Sequence, residues 1–115
     1  MHEYSILQAL LAQVDAQVVA HRAVSVVRLQ LRVGELSGVD AELLATAFDT
    51  LGRQGSCRGA CLDISTERAR WHCPQCGKTL TPGAVLRCPV CRLPAELCGG
   101  RDVVLDRIEM EVRDV

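Results

Sequence analysis

The chain has 115 residues with a net charge of −1, which suits one ordinary domain or a small domain with an insert, and gives no electrostatic case for nucleic acid or a membrane surface. Aromatic residues are 3% of the chain, so its core has to be aliphatic. No stretch approaches the roughly 20 apolar residues of a membrane span.

Residues 5–20 carry apolar side chains at helical spacing. Ile6, Leu10, Val14 and Val18 line one face with Leu7 and Leu11, and Gln8, Gln13, Asp15 and Gln17 occupy the other. Residues 24–33 change to period two. Val27, Leu29, Leu31 and Val33 alternate with Arg28, Gln30 and Arg32, the pattern of a half-buried strand. The run from Gly34 to Gly38 reads as a loop. Helical spacing returns over 41–52 through Leu43, Leu44, Ala47, Phe48 and Leu51, with Asp40 as N-cap and Gly52 and Gly55 ending the helix. A second strand fits 61–69. A third fits 103–112, with Val104, Ile108, Met110 and Val112 on one face and Asp106 marking a bulge or an edge.

Between those last strands lie Cys73-Pro-Gln-Cys76 and Cys88-Pro-Val-Cys91. Each Cys-x-x-Cys pair can present two sulfurs from one tight turn. Two such turns face four thiolates toward one tetrahedral ion, the ligand set of a structural zinc. The prolines fix φ in each turn. Gly77 follows the first pair at a position that favours positive φ, and Arg92 holds the matching place in the second pair with less ease. Iron accepts the same four sulfurs, and redox or disulfide chemistry is the remaining reading. Two pairs, neither opening a helix, fit redox chemistry poorly. The segment 71–94 is poor in apolar residues, so metal has to order it.

The predicted fold class is α+β: a small three-stranded mixed sheet, strands one and two parallel through a helical crossover, two helices on one face, and an inserted four-cysteine zinc ribbon. The division is 1–70 with 95–115 as one discontinuous domain and 71–94 as the zinc-binding domain.

The start, Met1-His2-Glu3, offers an amine, two backbone amides and an imidazole. Four such nitrogens make the square-planar site that Ni(II) and Cu(II) favour. Taken just ahead of a helix, those amides lack intrahelical acceptors, and Glu3 can add a carboxylate. A solvated histidine on a frayed terminus is the plainer reading of the same residues. The beginning has no basic and apolar export signal, and free Cys-x-x-Cys thiols suit a reducing cytoplasm.

Taken together, Met-His-Glu, the first helix, Val33-Gly-Glu-Leu-Ser-Gly-Val39, Phe48, Ala60-Cys61-Leu62, the paired cysteines and the run from Gly100 to Ile108-Glu109 resemble the HypA/HybF family of hydrogenase nickel-incorporation proteins. The resemblance implies a metallochaperone. It carries nickel at Met1, His2 and Glu3, with Asp40 near the site, and holds structural zinc at Cys73, Cys76, Cys88 and Cys91. It works with a HypB-type GTPase toward the large subunit of [NiFe]-hydrogenase, as a monomer or homodimer. Helix capping alone also accounts for Asp40, and solvation accounts for Glu35. Cys61 reads as a small buried hydrophobe, Cys57 and Cys98 as free thiols, His21 as a helix-end cation, and His72 as a neighbour able to exchange with a thiolate. No nucleophile triad, carboxylate pair or phosphate loop is present, so the chain reads as no enzyme. A zinc-ribbon interaction module without nickel is the alternative function.

Overall fold

The structure, a computed structural model, describes residues 2–80 and 86–113. Helix α1 spans His2–Ala20, strand β1 Ala23–Gly34, helix α2 Ala41–Leu51 and strand β2 Cys61–Glu67. Three short strands follow, β3 Arg70–His72, β4 Thr79–Leu80 and β5 Glu96–Gly99, and the long β6 Val103–Val112 closes the chain.

The first sheet has the order β2-β1-β6. The crossover through α2 makes β1 and β2 parallel, from Arg28 opposite Cys61 to Gly34 opposite Glu67. β6 returns antiparallel to β1. Both helices cover one face. Leu7 and Val14 of α1 and Leu44, Ala47 and Phe48 of α2 meet Val26, Leu29, Leu31 and Val33 of β1 in one buried cluster. Each buried valine, leucine or phenylalanine side chain withdrawn from water contributes about 1.5–3 kcal/mol. The opposite face is charged. Arg28 bridges Asp63 at 2.7 Å and Glu109 at 3.5 Å, and Arg32 bridges Asp106 at 3.2 Å and Glu67 at 3.5 Å. Each central-strand arginine thus sits between acids of both neighbouring strands.

Two features of the sequence pattern change in the structure. Val27 is not on the core face. It is 49% exposed, and Val26 is buried in its place. The register between β1 and β6 shifts between Val26 and Arg28, so Val27 is an extra residue that turns the alternation over. Asp106 does the same on β6, where Gln30 faces Arg107 and Leu31 faces Leu105. The bulge expected there is present. Its effect is to put Val103 and Leu105 against the core ahead of Ile108 and Met110, so Val104 does not share their face.

The second sheet, β4-β3-β5, extends from Arg70 to Gly99 and so reaches beyond 71–94 on both sides. The chain enters it through residues 68–69 and leaves through 100–102. Both connections are clamped to the end of β1. Gly34 donates its N–H to Asp102 O (2.8 Å), Glu35 to Glu67 O (2.8 Å) and Leu36 to Gly100 O (2.7 Å). A Cβ on Gly34 would lie 2.4 Å from the Gly100 carbonyl, so the bare glycine lets the two backbones touch. Glu35 is not simply solvated. Its carboxylate accepts the Ala69 N–H at 2.9 Å and ties the loop after β1 to the entrance of the second sheet.

Candidate metal centres

β3 delivers Cys73 directly after His72. From there the two cysteine turns repeat one another in every backbone bond. Cys73 N–H donates to Lys78 O and Gly77 N–H to Cys73 O, both at 2.9 Å. Cys88 N–H donates to Leu93 O and Arg92 N–H to Cys88 O, again both at 2.9 Å. Gly77 has φ +73° and Arg92 φ +58°, so both turns close through a left-handed residue. Arg92 adopts that conformation at a cost of about 1–2 kcal/mol that Gly77 does not bear. Arg87 guanidinium donates to Arg92 O at 2.6 Å and braces that turn.

The four sulfurs of Cys73, Cys76, Cys88 and Cys91 all lie within 4.8 Å of one another. A tetrahedron of thiolates at about 2.3 Å from zinc has sulfurs about 3.8 Å apart. Cys76 Sγ and Cys88 Sγ are 3.7 Å apart. The first cysteine of each pair is buried, at 0% and 1% exposure, and the second lies nearer solvent. Without a cation these thiols are in conflict. The backbone N–H of Cys91, 3.4 Å from Cys88 Sγ, leads in lowering that thiol to about 6. Burial, with the thiols of Cys76, Cys73 and Cys88, pushes Cys91 up to about 12. A divalent ion removes the conflict by stabilising every thiolate at once, and the donor set fits zinc.

The N-terminal residues occupy different ground. α1 begins at His2 and not at residue 5, so His2 and Glu3 lie in its first turn. Their amides still precede any intrahelical acceptor, which keeps them free for another role. Met1 lies outside the described residues. Glu3 Oε2 accepts the backbone N–H of Asp40 at 3.2 Å, bringing the N-termini of α1 and α2 together. Asp40 caps α2 as the sequence indicates, its Oδ1 accepting from Glu42 N–H (2.9 Å) and Leu43 N–H (3.2 Å). Its Oδ2 has no hydrogen-bond partner among the described residues. His2 is exposed and lines an open groove with Ser37, Val39 and Arg101. Among the described residues, the side-chain donors that converge as a metal-holding group are those of the four cysteines.

The remaining candidates separate by burial. Cys61 is exposed, since it shares the solvent face of β2 with Asp63 and Ser65, and the expectation that it is buried is corrected. Cys57 is the buried thiol, pushed up to about 11 by burial and by the nearby Asp15 carboxylate.

The whole chain finds relatives that match this geometry. Residues 1–110 match the family described as hydrogenase/urease nickel incorporation, metallochaperone, HypA. The chain belongs to the HypA family. It is 34% identical over 113 residues to the hydrogenase maturation factor HypA of Shewanella baltica (strain OS223), covering 96% of this chain and 97% of that one. It is 35% identical over 117 residues to the protein of the same description from Wolinella succinogenes, covering 99% and 98%. Among solved structures, the solution structure of a HypA protein superposes with a TM-score of 0.82 at 28% identity, over 98% of both chains. That of the Ni metallochaperone HypA from Helicobacter pylori gives 0.74 at 27% identity, over 96% and 98%. The HypA family is one of metallochaperones for nickel incorporation, and no helix of the described residues is long and apolar enough to cross a membrane.

Proposed function

We propose that this chain binds Ni(II) at Met1, His2 and Glu3, with Asp40 beside the site, and delivers it for maturation of [NiFe]-hydrogenase. The observation that carries the reading is the hydrogen bond from Asp40 N–H to the Glu3 carboxylate, which sets two acidic residues and His2 at the joined N-termini of two helices. The amine, two amides and the imidazole supply a square-planar nitrogen set. A cation at a helix N-terminus is disfavoured by the macrodipole, and two amidate ligands cancel the charge of a divalent ion. Glu3 and Asp40 add negative charge near it.

In this reading Zn(II) is held permanently by Cys73, Cys76, Cys88 and Cys91, in a zinc unit of 71–94 whose sheet runs on to Arg70 and Gly99. Residues 1–70 and 95–115 form the nickel unit. The partners are a HypB-type GTPase and the hydrogenase large subunit, the compartment is the cytoplasm, and the chain itself catalyses nothing. Nitrogen sites of this kind bind copper(II) more tightly than nickel, so correct delivery rests on metal availability and on the partners.

The test is a nickel titration of untagged, zinc-loaded protein followed by calorimetry and visible absorption. One Ni(II) per chain with a square-planar spectrum is expected. His2→Ala, or a residue added ahead of Met1, abolishes it and leaves zinc bound. Equal binding in all three proteins, or none in any, rejects the site and returns the chain to a zinc-stabilised interaction module.

A further inference from the structure

Charge is divided unevenly along this chain. From residue 68 to residue 101, the zinc unit with its two connections, six cations (Arg68, Arg70, Lys78, Arg87, Arg92 and Arg101) stand against the single acid Glu96. The remainder carries seven cations and thirteen acids. The zinc unit's surplus of five positive charges falls to three when four thiolates hold one divalent ion, so it stays basic with zinc in place. All six cations are exposed, and among the described residues Arg70 alone of them meets a carboxylate, Glu67 at 3.1 Å. Arg87 and Arg101 donate to the backbone carbonyls of Arg92 and Leu97, which orients them without neutralising them.

The two cysteine turns share a backbone and differ in surface. The first reads Cys-Pro-Gln-Cys-Gly over 73–77. The second reads Cys-Pro-Val-Cys-Arg over 88–92, and Leu86, Val90 and Leu93 around it are all exposed, Val90 at 74%. Zinc requires none of these side chains, since the first turn makes the same backbone bonds without them. Arg92 even adopts a left-handed conformation that Gly77 occupies without strain. A strained cation among exposed apolar side chains points to a surface kept for contact.

We propose that the second cysteine turn, 86–93, is a docking tip for an acidic protein segment, one that sets an apolar side chain between carboxylates. The apolar side chain packs on Val90 and Leu93, and the carboxylates pair with Arg87 and Arg92. Arg87 gives one N–H to Arg92 O and keeps the other donors of its guanidinium for a carboxylate. The acidic remainder of the chain repels the same segment, so encounter is steered to the zinc unit. A nucleic acid fits this surface less well. Single strands bind where bases stack on aromatic rings, and the one tryptophan, Trp71, is half-buried within β3. The proposal holds whether or not the chain carries nickel.

The experiment is fluorescence anisotropy of a labelled peptide of repeated glutamate-leucine-glutamate, titrated with the zinc-loaded full chain. The controls are the same peptide with glutamine for glutamate, and an oligouridylate of equal length. Saturable binding of the acidic peptide, weakened by salt and absent for the glutamine peptide, is expected. The exchange Val90→Gln with Arg92→Gly writes the first turn's sequence into the second. It should keep its zinc and melt no lower than wild type, because it copies a turn that already folds in this chain. It should bind the acidic peptide more weakly, on the order of tenfold or more. Amide NMR shifts of the wild type supply a readout that needs no variant: those within 86–93 move on binding. No binding by wild type, equal binding by a variant that keeps its zinc, equal binding of the glutamine peptide, tighter binding of the oligouridylate, or shift changes that spare 86–93 would each overturn the proposal.

Discussion

Asp40 is where capping and metal chemistry can be separated, because two substitutions remove different properties. Asp40→Ala deletes the acceptor for Glu42 N–H and Leu43 N–H, and leaves the backbone N–H that Glu3 binds. Loss of such a cap costs about 1 kcal/mol, with an upper range near 2. The contact from Glu3 fixes the end of α2, so little of that loss can be relieved by fraying. Asp40→Asn keeps an oxygen acceptor of the same reach and caps a helix as well as Asp does. It forfeits only the charge at the helix N-terminus, worth about 0.3–1 kcal/mol at an exposed position. Urea unfolding of zinc-saturated protein should therefore rank wild type, Asn and Ala in that order, with Ala lower by about 1–2 kcal/mol and a melting temperature lower by about 4 °C or more. Nickel calorimetry on the same three proteins divides the roles. If the carboxylate attends the metal, Asn and Ala weaken nickel alike despite their different stabilities. If capping is its whole function, nickel affinity follows helix stability and Asn lies between wild type and Ala. An Ala variant as stable as wild type would refute the capping argument itself.

Three further outcomes follow from the geometry. Cys76→Ser removes one corner of the sulfur tetrahedron, so zinc content and protease resistance of residues 70–99 should fall together while the circular dichroism of both helices persists. Gly34→Ala places a methyl 2.4 Å from the Gly100 carbonyl, where only backbone movement makes room, and should cost about 1–3 kcal/mol by urea unfolding. Cys57 is held neutral in the folded chain up to about 11, against its ordinary 9.0. The unfolded chain then loses that proton first, so stability should fall as pH rises from 9 toward 11, at up to about 1.4 kcal/mol per pH unit, and Cys57→Ala should flatten that slope.

The fold was legible where periodicity and chemistry agreed. Leu29, Leu31 and Val33 announce β1, and Asp40 announces the start of α2, because an N-cap is a local event between neighbours in sequence. The tetrahedral sulfurs were legible because a repeated Cys-x-x-Cys turn carries its own geometry. Val27 and Val104 were misplaced for one reason: a bulge adds a residue to one strand only, and nothing in the hydrophobic pattern of β1 announces where β6 requires it. Asp106 did announce its bulge, since an acid on an apolar face is anomalous within a single strand. The start of α1 at His2 has no signal in the pattern, because its first turn holds His2, Glu3 and Tyr4, which carry no apolar repeat. Glu35 and Glu3 were under-read because their acceptor roles join segments 34 and 37 residues apart, Ala69 and Asp40. Such bonds have no signature in local composition. Cys61 was misread because the side of β2 that meets the helices is set by its register on β1, where Cys61 stands opposite Arg28 of the charged face.

Under the proposed function the two metal centres must differ in how they let go, and the chain separates them on that basis. Four thiolates, two of them buried, would fill every position of a tetrahedral ion and leave none for a competing ligand, as a structural zinc requires. Amidate nitrogens at a helix N-terminus are opposite in character. They exist only while the ion replaces their protons, and those protons can return from water at an exposed turn. Protonation there frees the ion without unfolding α1, since the amides of the first turn hold no part of the helical ladder. The expected consequence is measurable by stopped-flow mixing with a chelator at about pH 7.5 and about pH 6. Nickel release should accelerate steeply with acid while zinc stays bound on the same timescale. Equal acceleration of both ions would mean that nickel leaves from the cysteine cluster, and the assignment of separate carrier and structural sites would fail.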